Sequence, residues 1–154
     1  MTKIDPKDVQ RLRSESGAGV MDCKRALEDA GGDYEKALGL LKQRGLESVA
    51  KKSGRDAKEG LVASYIHGNG RIGALVELAS ETDFVSRGDD FRQLAQEIAM
   101  QVAAMDPATV DELLGQPYIR DGSKTIKDLV TAVAATTKEN VHVRRIQRFA
   151  LGES

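Results

Sequence analysis

Apolar residues recur along this chain with two periods, and the change between them falls near Gly60. Before it, Val9 and Leu12, then Cys23, Ala26, Leu27 and Ala30, then Ala37, Leu40 and Leu41 return every three or four residues, the spacing of one helix face. Asp5-Pro6 reads as an N-cap followed by proline at the first helical position, and Asp8 adds negative charge to that first turn. The run Ser16-Gly17-Ala18-Gly19 breaks this helix. A second opens at Val20 and ends at Gly31-Gly32, and Asp33 caps a third that continues to Gly45. Three short helices make a small core that is marginal alone, and such modules generally dock onto something. Residues 47–60, with Lys51, Lys52, Arg55 and Lys58, read as a basic helical tail running into a linker, with a solvated charged face.

After Gly60 the period shortens to two. Leu61 to His67 reads as a strand with Val62 and Ile66 on one side and Leu61, Ala63 and Tyr65 on the other. Gly68-Asn69-Gly70 supplies the positive-φ positions of a tight turn, and Ile72, Ala74, Val76 and Leu78 alternate along a returning strand. The clearest helix follows, with Phe91, Leu94, Ala95, Ile98, Ala99, Val102 and Met105 at helical spacing. Asp89 and Asp90 lie near its positive end, and Asp106-Pro107 stops it. The stretch 106–122 reads as irregular, and Ser123 is expected to cap a further helix carrying Ile126, Leu129, Val130 and Val133. From Val141 to Leu151 the pattern is β-like again. Val141, Val143, Phe149 and Leu151 share one parity, and Arg145 among them suggests a bulge or an edge. The predicted order of this second part is β-β-α-α-β, its sheet packed by one face on the helices.

Composition narrows the function. The chain has 154 residues, 31% of them charged, and the charges nearly cancel to −1. A protein whose main task is gripping nucleic acid shows a strong positive excess instead. The single Cys23 cannot form an internal disulfide, so a reducing, intracellular setting is expected. It lies on an apolar face and reads as a small buried hydrophobe. No apolar run reaches the roughly 18 residues of a membrane span, and the first residues do not form a signal peptide. Gly68, Gly70 and Gly73 match a dinucleotide-binding fingerprint, but a strand follows them where that motif needs a helix, so they read as hairpin punctuation. His67 and His142 stand alone on predicted strands. No nucleophile triad, Walker loop or Cys-x-x-Cys pair appears, so neither enzymatic turnover nor a cofactor is expected. Arg144, Arg145 and Arg148 could meet phosphates, but no aromatic residues interleave with them to stack on bases.

The stretch Thr82-Asp83-Phe84-Val85 stands out between the second strand and the long helix. A carboxylate and a phenyl ring are presented together there, in a chain with three phenylalanines and no tryptophan. Phe84 either plugs the core beneath it or stands out to meet a partner. Val20 and Met21 pose the same choice at the exposed start of the second helix.

Taken in order, these features resemble the elongation factor Ts family, the bacterial guanine nucleotide exchange factors of elongation factor Tu. Leu12-Arg13 and Ser16 to Leu27 look like its N-terminal signature, with Gly32 to Ala37 beyond it. Thr82 to Val85 followed by Phe91 looks like its second signature, and Asn140 to Gly152 resembles its closing strand with paired arginines. The resemblance implies an α+β protein: a three-helix, UBA-like docking module with its basic linker over 1–54, then an α/β core over 55–154 whose small antiparallel sheet packs on helices. It implies that Arg13, Val20 and Met21 touch elongation factor Tu, with Val20 where the family usually has methionine. It further implies that Thr82, Asp83, Phe84 and Val85 dislodge the partner's Mg2+, with the Phe84 ring as the wedge. The resemblance implies a cytoplasmic protein that needs no cofactor and binds neither nucleic acid nor membrane directly. Typical members carry additional helical sequence between the residues matching Asp106-Pro107 and Leu113-Leu114, so the core is shortened here. The compact members pair through the core into homodimers that carry two partner molecules. Rival readings are a non-exchange adaptor and an RNA-binding protein of the ribosome.

Overall fold

The structure, a computed structural model, describes residues 3–153. They divide into two compact units, one ending at Lys51 and the other beginning at Lys52.

The first unit holds α1 (Pro6–Ser16), α2 (Val20–Asp29) and nearly all of α3 (Tyr34–Lys52). Asp5 caps α1, its carboxylate accepting from Lys7 N at 2.9 Å. Gly17 ends the helix at φ 73°, a left-handed conformation that costs glycine nothing. Leu12, Cys23, Ala26, Leu27, Ala30 and Ala37 form the core. Small side chains dominate it, so the three helices approach closely but bury little apolar area each. The third helix passes through Gly45 and ends only at Lys52. A single interior glycine costs about 1 kcal/mol, and here it does not stop the helix.

The second unit is built on a three-stranded antiparallel sheet in the order β1-β2-β5. β1 (Glu59–His67) and β2 (Ile72–Ser80) form a hairpin in unbroken register from Glu59↔Ser80 to His67↔Ile72. Its turn takes positive φ at Gly68, Asn69 and Gly70, and Gly73 lies within β2, so these glycines serve the hairpin. After a short helix α4 (Asp83–Ser86), the long helix α5 (Asp89–Met105) lies on β1 and β2. Phe91, Leu94, Ile98 and Val102 meet Val76 and Leu78 in the core. Burying each such side chain contributes roughly 1.5–3 kcal/mol.

The stretch 106–122 is more regular than its sequence suggests. It holds α6 (Val110–Gly115), strand β3 (Pro117–Tyr118) and the start of β4 (Asp121–Thr125). Thr109 accepts from Glu112 N at 3.1 Å while the Glu112 carboxylate accepts from Ala108 N, a Thr-x-x-Glu capping arrangement. Ser123 does not cap α7 (Ile126–Thr137), because its hydroxyl and amide both bond Asp121. Thr125 does so instead, in a reciprocal box with Asp128.

The last strand, β5 (His142–Ala150), lies at the sheet edge beside β2. Glu77 pairs Arg145 and Leu78 pairs Val143, so Arg144 is an extra residue and the strand bulges there. Both the bulge and the edge expected at Arg145 are thus present. The shared face expected for Val141, Val143, Phe149 and Leu151 is not. The bulge inverts the alternation, burying Val141 and Val143 but leaving Phe149 68% and Leu151 72% exposed.

Candidate functional site

Thr82 is the residue on which the exposed turn is built. The chain leaves β2 through Ser80, which is buried and donates its hydroxyl to Thr82 O at 2.9 Å. Thr82 is extended, at φ −124° and ψ 155°, and its Oγ1 accepts from Val85 N at 3.3 Å as the N-cap of α4. Adjacent residues on a helical turn point about 100° apart, so one cap sends neighbouring side chains to opposite destinations. Val85 is buried at 9% exposure, and Phe84 stands 86% exposed. The core plug of this junction is Val85, and the phenyl ring projects into solvent. Asp83 lies beside the ring, 3.1 Å from Arg87, and both partners of that pair are exposed. Such a pair contributes little and leaves the carboxylate accessible.

This turn is tied to a distant part of the chain that no local sequence pattern singles out. α7 ends with Lys138 in the left-handed conformation at φ 61°. Glu139 Oε1 then accepts from both Glu81 N and Thr82 N at 3.0 Å, and its Oε2 accepts from Thr82 Oγ1 at 2.7 Å. The clasp is reciprocal: Asn140 N donates to Glu81 Oε2 at 2.7 Å. Asn140 Nδ2 donates in turn to the carbonyls of Ser53 and Arg55, at 3.3 and 2.7 Å. The Arg55 guanidinium lies 3.7 Å from the Glu81 carboxylate. No local pattern announces a glutamate that acts 57 residues away; the only trace is its place between a helix end and a strand start.

In the helical unit, Arg13 is exposed on α1, and Val20 and Met21 are 46% and 57% exposed on the first turn of α2. Cys23, two residues on, is buried against Ser16 and Ala18.

The remaining candidates carry less. His67 bonds the Tyr65 hydroxyl at 2.9 Å and stacks on its ring. His142 is held below the usual imidazole range by burial and by the nearby Arg144. Arg144 and Arg145 both approach Glu77, at 3.9 and 2.6 Å. Arg148 donates to Ala103 O and lies near Asp106 and Glu153. The arginine cluster is therefore largely matched by acids. Among the described residues, no group of three or more His, Cys, Asp or Glu side chains could hold a metal ion. No helix among them is long and apolar enough to cross a membrane.

The helical unit exposes apolar residues at a helix start, and the α+β unit carries a capped turn with one outward ring. The family model described as "Elongation factor TS" matches residues 81–154. Elongation factor Ts of Carboxydothermus hydrogenoformans is 43% identical, with 97% of this chain and 90% of that protein covered. That of Coprothermobacter proteolyticus is also 43% identical, over 98% of this chain and all of that protein. That of Synechococcus elongatus is 42% identical, over 99% and 90%. The chain belongs to the elongation factor Ts family. The first of these alignments runs over 195 positions, against 154 residues here, so the relative carries residues that face none in this chain.

Proposed function

We propose that this chain is a guanine nucleotide exchange factor for elongation factor Tu, acting in translation elongation in the bacterial cytoplasm. Its membership of the elongation factor Ts family supports the partner. The single observation that carries the mechanism is the Phe84 ring, 86% exposed on a turn held by hydrogen bonds at Thr82 O, Thr82 N and Val85 N. The docking module, residues 1–54, meets the partner through Arg13, Val20 and Met21. The core, residues 55–154, brings Thr82, Asp83, Phe84 and Val85 to the partner's Mg2+ site, where Phe84 wedges apart the elements that hold the ion.

The step is differential binding. A factor that binds the nucleotide-free GTPase more tightly than the GDP-bound form weakens GDP binding by the same factor. Magnesium bridges protein and phosphates and is the largest local charge, so disturbing its coordination removes much of the hold on GDP. No bond is made or broken, and the factor is not an enzyme in the ordinary sense.

Release of fluorescent GDP from elongation factor Tu tests the reading. The parent chain should accelerate release strongly. Phe84→Ala forfeits the burial of one phenyl ring, roughly 1.5–3 kcal/mol, and should slow the accelerated release about tenfold or more. A parent chain that leaves release at its spontaneous rate would sink the exchange reading in favour of a plain adaptor.

The core further pairs with a second copy, giving a two-to-two complex. Val62, Ile66, Leu75, Phe149 and Leu151 are all exposed on or beside the sheet face turned away from α5. All but Val62 border a shallow groove of about 580 Å3. A contiguous apolar sheet face of this kind calls for a cover, and an isologous pairing of two such faces supplies one. Phe149→Glu should convert a dimer to a monomer in sedimentation velocity, and a parent chain that sediments as a monomer at high concentration would refute the pairing.

A further inference from the structure

We infer that Glu139 is a positioning residue for exchange, a strut from the end of α7 that fixes the direction in which Phe84 projects. The inference rests on the exchange reading above and deepens it. A ring that must force its way between elements of a partner transmits load to the turn that bears it. That turn, α4, is only four residues long, and so short a helix holds its shape poorly alone. Three contacts oppose the load. Val85 anchors the turn from below, and Ser80 holds the Thr82 carbonyl. Glu139 takes both free backbone donors ahead of the turn and the Thr82 hydroxyl, three bonds on one carboxylate. The third contact settles the orientation of the N-cap. With Glu139 Oε2 accepting its proton, the Thr82 hydroxyl presents a lone pair to Val85 N and cannot rotate away.

Glu139 is itself held in place. The left-handed Lys138 turns the chain so that the carboxylate faces back toward β2, and the Asn140 amide bonded to Glu81 closes the ring of contacts. Bonds to an ionised acceptor are the stronger kind, and this carboxylate satisfies donors that would otherwise be left at the mouth of the core.

Two readouts on the full chain test this. In the first, GDP release is followed against factor concentration for the parent, Glu139→Ala and Glu139→Gln. A positioning role predicts that Glu139→Ala lowers the maximal release rate about tenfold, while the half-saturating concentration, set largely by the helical docking unit, stays within about twofold. Glu139→Gln keeps a carbonyl oxygen for the two backbone donors and should recover most of the rate. An unchanged maximal rate in Glu139→Ala would overturn the inference.

The second readout needs no partner. The chain has no tryptophan, so Phe84→Trp makes position 84 its own fluorescent reporter. Adding Glu139→Ala should lower the anisotropy of that reporter, and adding Glu139→Gln should not. An equally immobile ring in both would overturn the inference even if exchange itself is confirmed. A parent chain without exchange activity would sink the functional reading instead, so the two failures are told apart. Should Glu139→Ala not fold, amide hydrogen exchange in the parent decides. Protection of the Glu81 and Thr82 amides supports the strut, and exchange as fast as in an open loop refutes it.

Discussion

Gly60 shows how one residue fixes the frame on which the exposed turn is hung. It sits in β1 opposite Ala79 at φ 136°, where L side chains rarely go. A Cβ there would meet the Leu78 carbonyl oxygen at 2.1 Å. That oxygen belongs to the central strand and has no room to retreat. Gly60→Ala should therefore destabilise the second unit by about 3 kcal/mol or more, read as a fall of many degrees in its melting temperature, while Gly54→Ala, in open space, should leave it nearly unchanged. The sequence offered Gly60 only as the place where the period changes. Phe84 and Val85 teach a related lesson. Both were visible as apolar residues at a junction, but which of the two is the plug depends on the phase of a single helical turn. That phase is set by the Thr82 cap and by Glu139, which no local pattern connects to it.

Among the elements, those with several turns or a long alternation of apolar residues were legible, and the short ones were not. α5 and the β1–β2 hairpin repeat their pattern often enough to be read directly. α6 and the β3–β4 pair do not: α6 has under two turns, β3 only two residues, and β4 (Asp121–Thr125) no apolar residue to alternate. β5 was legible as a strand, and Arg145 as a sign of irregularity, but a bulge resets parity for every residue after it. Phe149 changed faces for that reason. The small hairpin is held by polar side chains that periodicity ignores. Gln101, fully buried on α5, donates to Pro117 O and accepts from Ile119 N. Tyr118 donates its hydroxyl to Glu97. Burial first and that bond second push the Tyr118 phenol up to about 12, from an ordinary 10.0. Its folded form holds the proton where the unfolded form has lost it, so the contribution is whole below pH 10 and disappears as pH rises through about 12. An ultraviolet titration should show a tyrosine ionising near pH 12 that is absent from Tyr118→Phe. A Tyr118 that ionises near 10 would mean the hairpin is open in solution.

At the scale of the whole molecule, the change from a helical to a mixed unit followed from periodicity alone. The family was legible because its signatures are stretches of specific residues in fixed order, a different kind of information from hydrophobic pattern. The arrangement of the second unit has a consequence for its synthesis. β2 is the central strand, so until β5 is made one of its edges carries unpaired backbone groups, the condition under which strands pair wrongly. Glu139 emerges 57 residues after Thr82, a delay of roughly 3–11 s at bacterial rates of translation. During that interval the nascent chain already carries Phe84 on an untethered turn. The first unit lies wholly upstream of Thr82, so all of its residues are made before that interval begins. On the proposed reading, a growing chain therefore acquires its docking surface first and its fixed wedge last, so an unfinished molecule would occupy a partner before it released anything from it.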